Sequence, residues 1–114
     1  MSPTELYDDV ALDFPAVWPK NPAHVWESLY SRQSTSFELI SNLLSRYIYA
    51  TEVIVLVHSS PGIGAIMLRD AAPSLIVDHF LKADIQVSDK QYAGFVEISR
   101  IGVGTGWRAN SKHA

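Results

Sequence analysis

The sequence predicts an α+β fold, a small, three-stranded, mainly antiparallel sheet covered by helices. Three observations predict it. Residues 51–58, "TEVIVLVH", are dominated by β-branched side chains and are too short for a typical helix. "SSPG" at 59–62 supplies turn chemistry that returns the chain into a second apolar run. On either side of this pair, apolar residues recur at three-and-four spacing, the period of a helix with one buried face.

The elements follow in order. Residues 1–20 read as an extended N-terminal arm, because Pro15 and Pro19 remove backbone donors and hold the chain out, and the first dozen residues are expected to fray. Asn21 as N-cap and Pro22 at the first helical position start a helix over 21–33, with Val25, Trp26, Leu29 and Tyr30 on one side. "QSTS" interrupts that pattern, and a second stripe of Phe37, Ile40, Leu44, Tyr47 and Ile48 resumes it. Residues 51–58 then form a central strand and 63–70 its antiparallel neighbour, with Gly64 where a side chain would cost close approach. Pro73 begins a short helix carrying Leu75, Ile76, His79 and Phe80. "VSDKQ" is a polar turn, residues 92–103 are the third and longest strand, and a helical turn begins at Trp107.

At 114 residues the chain fits one domain, 1–114, and 47% hydrophobic against 18% charged is a globular balance in which no segment predicts disorder. A net charge of −3, with nine Lys and Arg scattered, argues against a surface that tracks phosphates, so no direct nucleic-acid partner is expected. With no cysteine there is neither a disulfide nor a thiolate metal site. The acidic start lacks the basic, apolar plan of a signal peptide, and no run approaches the roughly 20 apolar residues of a membrane span. A cytoplasmic protein without membrane contact is the expectation.

Chemistry-bearing residues are sparse. His24, His58, His79 and His113 show no metal-ligand spacing, and Asp78 beside His79 comes with no nucleophile elbow, so no metal, cofactor or catalytic residue is expected. Gly102, Gly104 and Gly106 alternate as a phosphate-approaching backbone would. The Lys and hydroxyl residue of a phosphate loop and the dinucleotide fingerprint are both missing, so these glycines read as a strand end or turn. Glu97 and Arg100 fall on opposite faces of the third strand, where pairing with Arg69 or Asp78 would neutralise a buried charge.

The run "GAIMLRDAAPSLIVDHFL", followed by "VEISRIGV", resembles the centre of the acyl-homoserine-lactone synthases, a branch of the acetyltransferase-like fold. The resemblance rests on Gly64, Leu68, Leu75, Asp78, Phe80, Glu97, Ser99 and Arg100, and covers residues 51–108. It implies the first half of that fold. Met67 stands where the family has arginine, the family's upstream acidic and aromatic signature has no counterpart, and "RANSKH" at 108–113 puts Ala109, Ser111 and His113 where related enzymes place the glycines that cradle coenzyme A. The resemblance therefore implies a scaffold without its acyl-donor site, and a strand 92–103 left as an edge for a second copy or another protein to cover. In size and character the chain is also similar to the quorum-sensing antiactivators, which bind a LuxR-type transcription factor and block its dimerisation or DNA binding. That likeness implies a noncatalytic homodimer with a protein partner, held by aromatic anchors for which Phe14, Trp18, Tyr92, Phe95 and Trp107 are the candidates. The alternative is an acyltransferase or ligand-binding relic of the synthases, with Glu97 as base and Arg100 holding substrate.

Overall fold

The computed structural model describes residues 2–9, 26–30 and 35–108. Along the chain, residues 3–9 are helical (α1), and β1 (Glu27–Ser28), α2 (Ser36–Tyr47), β2 (Glu52–His58), β3 (Ile63–Leu68), α3 (Ala72–His79), β4 (Asp84–Ser88), β5 (Gly94–Ile98) and β6 (Val103–Arg108) follow. The strands form one wholly antiparallel sheet in the order β1-β6-β5-β4-β2-β3. The α+β class is as expected. Among the described residues the sheet has six strands, not three.

The β2–β3 hairpin and α3 fall where the sequence places them. The extra strands come from three segments that disguise themselves. Asp84–Ser88 alternates polar and apolar residues over only five positions, and its last residues lie in the stretch that reads as a polar turn. The predicted third strand, 92–103, ends as β5 at Ile98, because Gly102 adopts φ 94° and donates to the Ser99 carbonyl at 2.9 Å, closing a tight turn that only glycine enters at low cost and that leads into β6. Trp107 consequently lies in β6 and begins no helical turn. The third disguise is a helical period in "HVWESLY": Glu27 and Ser28 in fact pair with Gly104 and Val103, so tertiary pairing overrides the local pattern. Asn21 and Pro22, the expected helix start, lie outside the described residues. Residues 3–9 are helical where an extended arm was expected.

Thr35 caps α2 by accepting from the Glu38 N–H at 3.1 Å. Its last carbonyls, left without helical partners, are met by two arginines: Arg108 Nη1 donates to Tyr47 O at 2.8 Å and Arg69 Nη1 to Ile48 O at 2.9 Å. Beneath α2, Ile40, Leu43 and Leu44 pack with Ile76 of α3 on Val53, Val55 and Val57 of β2, Ile85 and Val87 of β4, and Val96 and Ile98 of β5.

The helix sits close to β5 and β6 because three positions beneath it, Gly94, Gly104 and Gly106, have no side chain. A Cβ at Gly106 would lie 2.2 Å from Tyr47 Cδ2, one at Gly104 2.8 Å from Leu43 Cδ2, and one at Gly94 2.0 Å from Tyr47 O. Gly104 and Gly106 thus form part of a bare strip on which α2 rests, and Gly102 makes the turn. Their alternation is the period of a strand face.

Candidate functional site

Strand alternation turns the other half of each strand to the opposite face of the sheet. The registers place Ile54, Ser88, Phe95 and Trp107 in one row across β2, β4, β5 and β6, Leu56, Gln86, Glu97 and Thr105 in the next, and His58 beside Asp84 beyond them. Polarity increases from row to row. α1 covers the apolar corner, where Tyr7 packs on Ile54 and Leu56 and its backbone crosses Gly64, whose Cβ would be 2.6 Å from Tyr7 N.

At the polar end lies a cleft of about 370 Å3 whose walls include Trp26, His58, Asp84, Gln86, Glu97 and Ser99. His58 is fixed on both sides, with Nδ1 2.7 Å from Tyr7 Oη and Nε2 2.7 Å from Gln86 Oε1. Both ring nitrogens are thus within hydrogen-bond distance of an oxygen, which fixes the plane of the imidazole. Asp84 Oδ1 accepts from the Arg100 N–H at 2.9 Å. In this network an amide, Gln86, stands where a triad would hold a carboxylate. Among the described residues no group of three or more His, Asp or Glu side chains could hold a metal ion.

The residues singled out from sequence are dispersed. Phe95 and Trp107, expected as exposed anchors, are 0% and 5% exposed and stack on each other with ring centroids 5.3 Å apart. They are buried because β5 and β6 are interior strands, flanked by β4 and β1. For the same reason, the stretch 92–103 is no edge. Tyr92 is half-buried at φ 55° and packs against Ile54 and Leu56. Phe14 and Trp18 lie outside the described residues. Glu97 lines the cleft, whereas Arg100 is exposed in the β5–β6 turn. Of the partners expected for them, Arg69 bonds Asp70 and Ile48 O, and the Asp78 backbone carbonyl accepts from Lys82.

Three exposed apolar side chains at this end of the sheet were assigned otherwise by sequence: Trp26 and Tyr30 to a buried helical face, Ile101 to a strand. Trp26 enters the cleft wall, while Tyr30 lies over Gly102 and beside Phe80, 5.6 Å between ring centroids. Arg46 of α2 pairs with Glu27 of β1; the Glu27 carboxylate, mainly through its hydrogen bond, raises the guanidinium pKa above its ordinary value against the opposing effect of burial.

No family model matches this chain, and no curated protein or solved structure matches it significantly. No described helix is long and apolar enough to cross a membrane.

Proposed function

We propose that this chain is a noncatalytic regulatory binding protein, an antiactivator that docks on a LuxR-type transcription factor and blocks its dimerisation or DNA binding. The class of partner comes from the sequence likeness to antiactivators. The single observation supporting a docking role is the exposure of Trp26 in the cleft wall and of Tyr30 over the neighbouring β5–β6 turn, since Trp and Tyr with an apolar body and a polar tip are the side chains that most often anchor interfaces.

Light scattering after size-exclusion chromatography, with the protein alone and mixed with candidate receptors, tests this reading. A discrete complex that lowers the receptor's operator binding, and that weakens in Trp26→Ala and Tyr30→Ala, supports it. No complex with any receptor, together with a rise in thermal stability on adding coenzyme A or an acyl donor, refutes it. That second outcome would favour the acyltransferase relic, whose one supporting observation is the position of Glu97 in the cleft wall.

A further inference from the structure

β3 is the outermost strand at one side of the sheet, bonded to β2 alone among the described strands. The Arg69 N–H donates to Thr51 O at 2.7 Å, which makes that pair a hydrogen-bonded one. Antiparallel ladders alternate bonded and non-bonded pairs, so the continuing register assigns the inward bonds to Met67, Ala65 and Ile63. The N–H and C=O groups of Gly64, Ile66 and Leu68 are therefore turned away from β2. Leu68 O accepts from Ala71 N within the following turn, at 3.0 Å. Both groups of Ile66, the Leu68 N–H and the Gly64 C=O remain aimed outward along an edge that no described strand covers.

Edges of this kind are ordinarily blunted by charge, proline or a bulge. Ile63–Leu68 has none of these: its sequence is IGAIML, every residue pairs in register with β2, and Ile66 and Leu68 are 45% and 60% exposed. The edge is also complementary to itself. A two-fold axis through Ile66 places Ile66 opposite Ile66 of a second copy, and sets Gly64, which has no side chain, opposite Leu68, the most exposed residue on the strand. In that register each Ile66 N–H donates to the Ile66 C=O of the other copy, and each Leu68 N–H donates to a Gly64 C=O. Because Gly64 lies under Tyr7, the Leu68 side chain of one copy comes to rest beside α1 of the other.

From this geometry we infer that β3 is a homodimer interface, pairing antiparallel with β3 of a second copy so that the two sheets become one. The inference rests on the backbone pattern of β3 and stands whether or not a transcription factor is the partner.

The absence of native cysteine makes a direct test available. In the proposed register the two Ile66 Cα atoms are about 5.5 Å apart, within the roughly 4.4–6.8 Å that a disulfide spans. Under mild copper-catalysed oxidation, Ile66→Cys is expected to give a covalent dimer and Asn42→Cys, on the exposed side of α2, to give none. In parallel, sedimentation equilibrium of the full chain should show a dimer, with Leu68→Pro raising the dissociation constant by roughly tenfold or more through loss of the inter-chain N–H donors. That N–H is not bonded to β2, so the ladder within each copy is kept. If Leu68→Pro does not fold, the oxidation result decides by itself. A native chain that is monomeric at every accessible concentration, or a dimer in which Ile66→Cys cross-links no better than Asn42→Cys, would overturn the proposal.

Discussion

Replacing Gly94 by alanine tests the helix-on-bare-strip packing most severely. The added methyl would sit 2.0 Å from the backbone oxygen of Tyr47, where ordinary contact begins near 3.4 Å. Its neighbour is main chain at the end of α2, so no side-chain rotation relieves the clash. The helix terminus must lift, and the Arg108 bond to that same Tyr47 oxygen and the seating of Leu44 and Ile48 must loosen with it. Overpacking of this kind costs about 1–3 kcal/mol, and a backbone obstacle places Gly94→Ala near the upper figure. The opposing gain from restricting the unfolded chain is only about 0.4–1 kcal/mol. A net loss of about 2 kcal/mol is a large share of the ~5–15 kcal/mol that stabilises a domain, and lowers Tm by about 10 °C. Urea denaturation measures it, with Gly104→Ala as the graded control: there the methyl meets the tips of Leu43 and Leu29 at 2.8 and 2.9 Å, groups that can turn aside. If Gly94→Ala proves neutral or stabilising, or costs less than Gly104→Ala, the close-approach account of these glycines is wrong.

Three further outcomes follow from the same geometry. Asp89, 4% exposed, accepts from the N–H groups of Gln91, Ala93 and Gly94, so Asp89→Ala should cost about 3 kcal/mol in urea denaturation by stranding buried donors, with Asp89→Asn intermediate. Tyr7→Phe removes the hydroxyl bonded to His58 Nδ1 and should lower protection of α1 amides from hydrogen exchange while leaving β2 and β4 protected, at a cost near 1 kcal/mol. The Arg46–Glu27 pair is half-exposed on both sides, so Arg46→Ala should lose no more than about 1 kcal/mol, and the coupling in a double-mutant cycle with Glu27→Gln should fade in high salt.

The parts of the fold visible in the sequence are those whose local preference agrees with their place in the structure. Val53, Val55 and Val57 are β-branched and lie in an interior strand; Pro73 opens α3; Ile40 and Leu44 repeat at helical spacing and face the core. Where local pattern and tertiary pairing disagree, the sequence misleads. Trp26, Leu29 and Tyr30 have helical spacing, yet the partner of this segment is β6, some seventy-five residues later. Gly104 and Gly106 carry no side-chain signal, and their role depends on Leu43, Leu29 and Tyr47 resting over them. The candidate site suffers from the same non-locality. Tyr7, His58 and Gln86 are far apart in sequence and become one network only through the β2–β4 register and the docking of α1. Phe95 and Trp107 were legible as large aromatics, but their burial depends on strands unseen in the sequence.

The sheet order has a consequence for the nascent chain. β1 and α2 emerge from the ribosome before the strands that support them, since β1 pairs with β6 and α2 rests on the glycines of β5 and β6. Until those late residues appear, Ile40, Leu43 and Leu44 have only part of the floor beneath them, and β1 has no ladder to join. The β2–β3 hairpin, by contrast, can close as soon as it is made. Translation thus delivers an adhesive helix early and its landing place last, which sets a waiting period in which this small domain depends on its surroundings to stay unaggregated.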